Sequence, residues 1–312
     1  MKEFLDRASK GESLSSRDLH IVLDAMPIPL SWATLHDRRI RFTNRAFRTV
    51  LGYEDGSFAT VEDWIERAYV RQADRDEARL RWQRLWESGV SGISEVPPWE
   101  VQVRRADGEL LAMLHRGILL HDIGVGIATF EDISDSKRAE EALRRIAFED
   151  PLTRLMNRRA LQHRWADEPA QARGPAALLL IDLDGFKPVN DQLGHDAGDE
   201  VLVAVAACLR ASVGAAGTVY RLGGDEFVVL LSGIRGAEDV ERACWRIGTA
   251  IRQPMRAGGR TVTVGSSIGV SLYPQDAADL QGLLKQADEA LYRVKRLEKG
   301  GWGWFKNPER AA

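Results

Sequence analysis

The chain has 312 residues, of which 44% are hydrophobic and 29% are charged, and its formal net charge is −3. This length exceeds one ordinary core and predicts two domains of roughly 130–170 residues each. The small net charge gives no long-range attraction for a polynucleotide, so nucleic acid is not expected as a partner. The longest apolar stretches have only strand length, so membrane insertion is not expected either. The N-terminus lacks an apolar secretion segment and only Cys208 and Cys244 are cysteines, which predicts a cytoplasmic location.

Residues 1–20 are mostly polar and are predicted to form a helix or a tail. Residues 21–134 then predict strands on either side of a helical middle. Hairpins are indicated around the turns His36-Asp37-Arg38 and Ala106-Asp107-Gly108, and a helix is indicated over residues 73–89. This order predicts an α+β domain with an antiparallel sheet.

Residues 135–149 are rich in charge and predict a linker helix. Ala139, Leu143 and Ile146 are spaced by four and then three residues, which fits a short coiled-coil seam. An ordinary solvated helix fits so short a pattern equally well. From residue 150 to 312 strands and helices alternate, which predicts a second α+β domain whose mostly antiparallel sheet is covered by helices.

Carboxylates form the first group of candidate site residues. Asp182 and Asp184 end a near-continuous apolar strand and point to one face of it. Asp225 and Glu226 follow two glycines between two apolar segments, which predicts the tip of a hairpin. Adjacent carboxylates repel each other unless a cation binds, and oxygen ligands at a strand end and a hairpin tip are typical of a Mg²⁺ site completed by phosphate. Solvated turn carboxylates are the alternative interpretation.

A second group indicates phosphate and purine binding. Gly185-Phe186-Lys187 begins a predicted helix whose free N–H groups suit phosphate, although the P-loop pattern is absent. Asn190-Asp191 and Gly198-Asp199 supply side chains that pair with guanine, and a buried carboxylate would exclude adenine. Lys295 and Lys299 lie four residues apart on one helical face, where they reach phosphates or are simply solvated.

Together these residues resemble the diguanylate cyclase, or GGDEF, family over about residues 145–306. The motifs that match in order and spacing are Asp150-Pro151-Leu152-Thr153, Asn157-Arg158-Arg159, Asp182 to Lys187, Asn190-Asp191, Gly194-His195, Gly198-Asp199, Arg221 to Phe227 and Ala287 to Tyr292. The resemblance implies a fold similar to the nucleotidyl cyclase and polymerase palm core. It also implies condensation of two GTP molecules into cyclic di-GMP with two Mg²⁺ per active site. Because one domain holds one GTP, it implies a homodimer.

The resemblance also implies a role for each site residue. Those expected at the metal are Asp182, the Leu183 carbonyl, Asp225 and Glu226; those expected in catalysis are Asp225, Glu226 and Lys187. Those expected on the substrate are Asn190 and Asp199 for guanine, and Phe186, Lys187, Lys295 and Lys299 for phosphate.

The sequence departs from the family pattern at two places. Glu298-Lys299-Gly300 stands where the family commonly has Gly-Arg-Asn, which weakens the assignment of Lys299. Gly214-Ala215-Ala216-Gly217 stands where the family often has an inhibitory Arg-x-x-Asp motif. No Arg-x-x-Asp product-inhibition site is therefore expected.

The N-terminal half resembles the PAS family of sensor domains, with weaker motifs. They are Asp24-Ala25-Met26-Pro27, Thr43 to Phe47, Leu51-Gly52-Tyr53 and Asp132-Ile133-Ser134. The resemblance implies a five-stranded sheet with helices on one face, and it leaves the ligand unknown. Residues 1–135 contain no cysteine for a flavin-linked light sensor. Haem usually needs an axial histidine, and the histidines at 20, 36, 115 and 121 lie outside the middle helical segment. The tryptophans are expected to pack the core; they are Trp32, Trp64, Trp82, Trp86 and Trp99.

These expectations divide the chain into four segments. They are an N-terminal helix or tail (1–20), a PAS sensor domain (21–134), a signalling linker helix (135–149) and a GGDEF cyclase domain (150–312). Two other functions remain open: a non-catalytic receptor that binds nucleotide, and a hybrid cyclase that accepts ATP together with GTP.

Overall fold

The protein is described from a computed structural model, which covers residues 15–85, 91–168, 174–297 and 299–306. The chain forms two compact units, and the division between them falls between Glu141 and Ala142. Each unit combines a β-sheet with helices, which confirms the predicted α+β class. Within the described ranges, every helix is too short or too polar to cross a lipid bilayer.

The N-terminal unit is built on one antiparallel sheet with the strand order β2-β1-β5-β4-β3. Its strands are β1 (Leu30–Thr34), β2 (Ile40–Thr43), β3 (Ile93–Arg104), β4 (Leu110–Leu120) and β5 (Val125–Asp132). Its helices are α1 (Ser16–Ala25), α2 (Arg45–Leu51), α3 (Val61–Ala68) and α4 (Gln72–Leu85). Three of the helices begin at side chains that accept a backbone N–H, namely Ser15, Asn44 and Thr60. The helix predicted over residues 73–89 corresponds to α4, and residues 86–90 lie outside the described ranges.

Aromatic side chains fill the interior of the N-terminal unit. Trp64, Trp82 and Trp99 are buried there, as predicted, whereas Trp32 is half-buried and Trp86 lies outside the described residues. Among them lies His115 of β4, which is only 2% exposed. Its ring stacks on Phe130 with centroids 4.4 Å apart.

His115 is held in its neutral form. Its Nδ1 lies 2.8 Å from the Tyr69 hydroxyl, within hydrogen-bond distance. Burial, with a smaller contribution from the positive charge of Arg81, lowers the pKa of His115 to about 3. The residue is therefore a neutral part of the core at physiological pH, a role for which sequence reasoning had no signal.

The C-terminal unit contains a six-stranded sheet with the order β13-β12-β7-β9-β8-β6. Its strands are β6 (Met156–Asn157), β7 (Ala176–Asp184), β8 (Gly217–Gly223), β9 (Glu226–Ser232), β12 (Gly265–Tyr273) and β13 (Trp302–Trp304). A separate hairpin joins β10 (Met255–Ala257) to β11 (Arg260–Val262). Its helices are α6 (Arg158–Asp167), α7 (Phe186–Leu193), α8 (His195–Val213), α9 (Ala237–Ile251) and α10 (Leu280–Leu297), and α5 (Ser134–Phe148) spans the boundary between the units. The four central strands pair antiparallel, as predicted, while β6 and β13 join the edges in parallel.

Strand β7 lies at the centre of this sheet and is covered on both faces. Leu179 and Ile181 belong to the core on one face, and Leu178 and Leu180 belong to the core on the other. Burial on both sides explains why this segment is a continuous apolar run. The run ends at Asp182, so the first carboxylate of the candidate site lies where the strand leaves the core.

We predict that acidification destabilises the N-terminal unit through His115. An unfolded histidine titrates near 6.5 and the folded one near 3, so its stabilising contribution is complete above the first value and is lost as the pH falls towards the second. At about pH 5 the loss amounts to about 2 kcal/mol relative to neutral pH. The measurement is calorimetric unfolding of the full chain at both pH values.

His115→Phe keeps an aromatic ring but cannot titrate, so its unfolding should depend less on pH over this range. His36→Gln, at an exposed position, is the control and should keep the wild-type dependence. An equal pH dependence of wild type and His115→Phe would contradict the prediction.

Candidate functional site

Two carboxylates face each other across neighbouring strands at the end of β7. Asp182 of β7 is the register partner of Glu226 of β9. Direct cross-strand partners share a face of the sheet, with Cβ atoms about 4.5–5.5 Å apart, and like charges at such positions are destabilising. Asp225 is the residue immediately before Glu226, in the turn between β8 and β9. The strand end and the hairpin tip that the sequence predicted are therefore brought to one place.

A lysine from α10 compensates part of this negative charge. The Nζ atom of Lys295 lies 2.6 Å from Oδ2 of Asp182. The helix reaches this position because it packs closely against Gly269 of β12, where a Cβ atom would lie 2.0 Å from the Ala287 carbonyl oxygen. Only glycine permits this approach, and Lys295 follows two turns after Ala287 on the same helix.

An arginine holds the turn that carries Asp225. The guanidinium of Arg221 donates from Nε and Nη2 to the Gly224 carbonyl, at 3.0 and 2.8 Å. Its Nη1 atom donates to Asp150 Oδ1 at 2.9 Å, and the two side chains are only 10% and 16% exposed. Burial alone would raise the pKa of Asp150, but hydrogen bonds from Thr153 and Arg221 outweigh it and hold the pKa below its ordinary value. Arg221 and Asp150 both lie in motifs that the sequence shows, but those motifs do not predict this connection.

The donor set at this edge suits Mg²⁺ in the presence of phosphate. Asp182, the Leu183 carbonyl, Asp225 and Glu226 are hard oxygen donors, which Mg²⁺ prefers. Among the described residues, no group of three or more His, Cys, Asp or Glu side chains lies close enough together to hold a metal ion by itself. The ammonium group on Asp182 occupies a position that favours a cation. The residues therefore fit Mg²⁺ that takes further ligands from a bound nucleotide.

The predicted phosphate residues Phe186 and Lys187 open helix α7. Phe186 is buried and Lys187 is exposed, and Gly185 before them has no side chain with which to cap the helix. The first N–H groups of a helix lack intrahelical partners and attract anions. These two positions therefore present backbone donors beside the end of β7.

The predicted base residues lie on neighbouring helices that touch. A Cβ atom on Gly198 of α8 would lie 1.8 Å from Oδ1 of Asn190 on α7. The absence of a side chain at Gly198 therefore brings the Asn190 amide against the backbone that carries Asp199. Asp199 is exposed, not buried as the sequence argument on base selection assumed.

Lys299 is exposed in the turn that follows α10. The N–H of its neighbour Gly300 donates to Oγ of Ser267, at 3.3 Å. Ser267 is the second register partner of Asp182, on β12. Sequence reasoning missed Ser267, although a serine within a buried apolar strand was a signal that could have identified it.

Comparison with known proteins shows which family this half of the chain is similar to. The sequence profile described as "Diguanylate cyclase, GGDEF domain" matches residues 147–300. The chain is 39% identical over 280 residues to an uncharacterized signaling protein of Caulobacter vibrioides, a match that covers 86% of this chain and 32% of the relative. It is 40% identical over 158 residues to the diguanylate cyclase TpbB of Pseudomonas aeruginosa, covering 49% of this chain and 36% of the relative. The chain thus spans about a third of the length of these curated relatives.

A solved structure shows a similar fold. It contains the coiled coil and GGDEF domain of DgcB from Caulobacter crescentus in complex with c-di-GMP, and it is 24% identical to this chain. The TM-score is 0.50, and the match covers 55% of this chain and 93% of that one.

We predict that the Arg221–Asp150 pair stabilises the C-terminal unit. Arg221→Met leaves the Asp150 carboxylate largely buried without its cation, so the free energy of unfolding should fall by about 3 kcal/mol. Arg164→Met is the control, because Arg164 is exposed and its guanidinium donates to the hydroxyl of Thr218 on β8, the strand that also carries Arg221. That variant should stay within about 0.5–1 kcal/mol of wild type. Urea unfolding of the full chain measures both, and equal losses would contradict the prediction.

Proposed function

We propose that the protein condenses two GTP molecules into cyclic di-GMP and releases two pyrophosphates, because residues 147–300 match the sequence profile of the GGDEF family of diguanylate cyclases. The observation that carries the proposal is the facing pair Asp182 and Glu226, with the Lys295 ammonium group 2.6 Å from Asp182. Such a pair is unfavourable without a cation, and a nucleotide triphosphate with its metal supplies one.

The phosphates would be bound by groups from α7, from α10 and from the turn that follows α10. The N–H groups at Phe186 and Lys187 and the ammonium groups of Lys187, Lys295 and Lys299 are the donors. Two Mg²⁺, held by Asp182, the Leu183 carbonyl, Asp225 and Glu226, would neutralise the phosphates and lower the pKa of the attacking 3′-hydroxyl. Lys295 then exchanges the Asp182 carboxylate for a phosphate oxygen. Catalysis by these residues is mainly positioning and charge stabilisation.

Guanine would be recognised between α7 and α8. The Asn190 amide and the Asp199 carboxylate offer an acceptor and donor pattern that matches the Watson–Crick edge and 2-amino group of guanine. The contact between Asn190 and Gly198 supports a single pocket for both groups. Since Asp199 is exposed, the base itself would exclude water from the carboxylate.

Two domains must face each other, because each contributes one GTP to a product with two phosphodiester bonds. The rate then depends on the alignment of two half-sites. Leu143 and Ile146 of α5 are 66% and 77% exposed. Apolar side chains this exposed on a helix favour a coiled-coil seam in a homodimer over a solvated linker.

A route for regulation runs from the end of α5 to the turn that carries Asp225. The Asn157 amide donates to the carbonyls of Ala147 and Glu149, at 3.0 and 3.3 Å. Asp150, which follows Glu149 in the chain, accepts a hydrogen bond from Arg221. Arg221 in turn donates to the carbonyl of Gly224, the residue before Asp225. A displacement of α5 would therefore reach the proposed metal ligands through two hydrogen-bonded steps.

The N-terminal unit would control this helix as a cytoplasmic PAS-type sensor. Its five-stranded antiparallel sheet with helices supports that assignment.

The turn at Gly214–Ala216 of the C-terminal unit offers backbone groups but no charged side chain to cyclic di-GMP. Product inhibition would thus arise only by weak competition at the GTP site.

The proposed synthesis is tested with the purified full chain, GTP and Mg²⁺, with the product identified by mass. Asp182→Asn and Asp225→Asn should lower synthesis at least about 100-fold, since each removes a charge that holds the metal. Asp196→Asn changes an exposed carboxylate on α8 and should leave the rate unchanged. The rate per chain should rise with protein concentration until dimers saturate.

Near-normal turnover by either site variant would contradict the metal assignment. Binding of GTP without any product from wild type would favour the receptor alternative instead.

We also predict that Asp199 selects guanine. Asp199→Ser removes the carboxylate that excludes adenine, so discrimination against ATP should fall about 100-fold and mixed cyclic dinucleotides should form. Competition between equal GTP and ATP, read by mass, measures this ratio. Asp196→Ser on the same helix is the control. A variant that turns over GTP but stays strictly selective would remove Asp199 as the selector, and mixed products from wild type would indicate the hybrid cyclase.

A further inference from the structure

Strand β12 carries two adjacent buried serines with different surroundings. Ser267 is 0% exposed, and its hydroxyl donates to the Asp184 carboxylate, at 2.8 Å to Oδ2 and 3.1 Å to Oδ1. Ser266 is 2% exposed and points to the other face of the sheet, and its hydroxyl finds no hydrogen-bond partner among the described residues. The Ser267 hydroxyl also accepts a hydrogen bond from a backbone N–H. Because it both donates and accepts, Ser267 connects two other parts of the unit.

The backbone donor is Gly300, whose peptide groups are held on both sides. Its N–H donates to Ser267 Oγ at 3.3 Å, and its carbonyl accepts from the Arg252 guanidinium. The carbonyl of Gly301 accepts from the Ile268 N–H at 3.0 Å, which leads into the pairing of β12 with β13. Gly300 has a φ of +90°, a left-handed conformation that favours glycine, and a Cβ atom there would lie 2.8 Å from Nη2 of Arg252.

The turn held in this way carries Lys299. Ser267 lies directly opposite Asp182 in the β7–β12 pairing, and Asp184 lies on the same face. One hydroxyl therefore joins the strand of the proposed metal ligand to the turn of a proposed phosphate ligand. A lysine is a point charge on a flexible stem, unlike the planar fork of an arginine. Its contribution to a phosphate contact thus depends strongly on where its backbone is held.

We propose that Ser267, oriented by Asp184, is a positioning residue that holds the Lys299–Gly300 turn and thereby places Lys299 for contact with the substrate phosphates. The inference rests on the proposed function for the phosphate, whereas the attachment of the turn rests on the hydrogen bonds alone.

The attachment is tested first, without nucleotide, by amide hydrogen exchange of the full chain. Ser267→Ala removes the acceptor of the Gly300 N–H, so exchange in the segment 299–306 should rise about 10-fold while the interior of β12 stays protected. Ser266→Ala is the matched control on the same strand and should leave that segment unchanged. Equal exchange in the two variants would overturn the attachment, whatever the protein catalyses.

The role of Lys299 is tested by a double-mutant cycle. Binding of the Mg²⁺ complex of the non-reactive analogue guanosine 5′-(α,β-methylene)triphosphate is measured by calorimetry for Ser267→Ala, Lys299→Ala and the double variant. Each single change should weaken affinity on the order of 10-fold, and the double variant should be no weaker than Lys299→Ala alone. In turnover, the loss should appear in KM more than in kcat.

Independent effects that multiply in the double variant would overturn the proposal, as would wild-type affinity in Ser267→Ala. Absence of analogue binding to wild type would overturn both this role and the proposed function. Normal binding with the expected cycle, but no cyclic di-GMP, would overturn the proposed synthesis alone.

Discussion

The repulsion between Asp182 and Glu226 at the end of the β7–β9 pair is the constraint on which the C-terminal unit depends. A strand buried on both faces ends at a carboxylate, and its register places a second carboxylate directly opposite. Lys295 compensates this charge in the described structure, and it can do so because α10 packs onto the backbone of Gly269. The close packing of a helix on a glycine thus sets the electrostatics of the site.

Two hydrogen-bonded connections bind this charged edge to the rest of the unit. Arg221 joins the turn before Asp225 to Asp150, next to the end of α5. Ser267 joins the strand opposite Asp182 to the turn after α10. The first connection suits transmission of a displacement along the linker helix, and the second suits a fixed geometry for phosphate. Both consist of buried or half-buried polar groups whose partners are supplied from distant parts of the chain, which makes their geometry specific.

The electrostatics of the N-terminal unit are different, since it buries a titratable residue in an aromatic core. The aromatic core surrounds His115, and the Tyr69 hydroxyl is the hydrogen-bond partner of its Nδ1. Such an environment disfavours the charged imidazolium and lowers the pKa of the histidine. From the sequence, this histidine was considered only as an axial ligand of haem, because a lone histidine in an alternating strand does not reveal which face it occupies or what packs on it.

The sequence by itself determined the α+β class, the apolar strand that becomes β7, the hairpin around Gly223 and Gly224 and the residue types of the candidate site. These follow from local rules: apolar runs mark buried strands, adjacent glycines mark turns, and charged residues that end an apolar run mark the edge of a core. Only the tertiary structure decided that Lys295 lies on Asp182, that Arg221 reaches both Asp150 and Gly224, and that Ser267 bonds Asp184 and Gly300. The partners in most of these contacts are far apart along the chain. Which side chains contact each other therefore depends on strand register and helix packing, and a local sequence pattern does not determine these contacts.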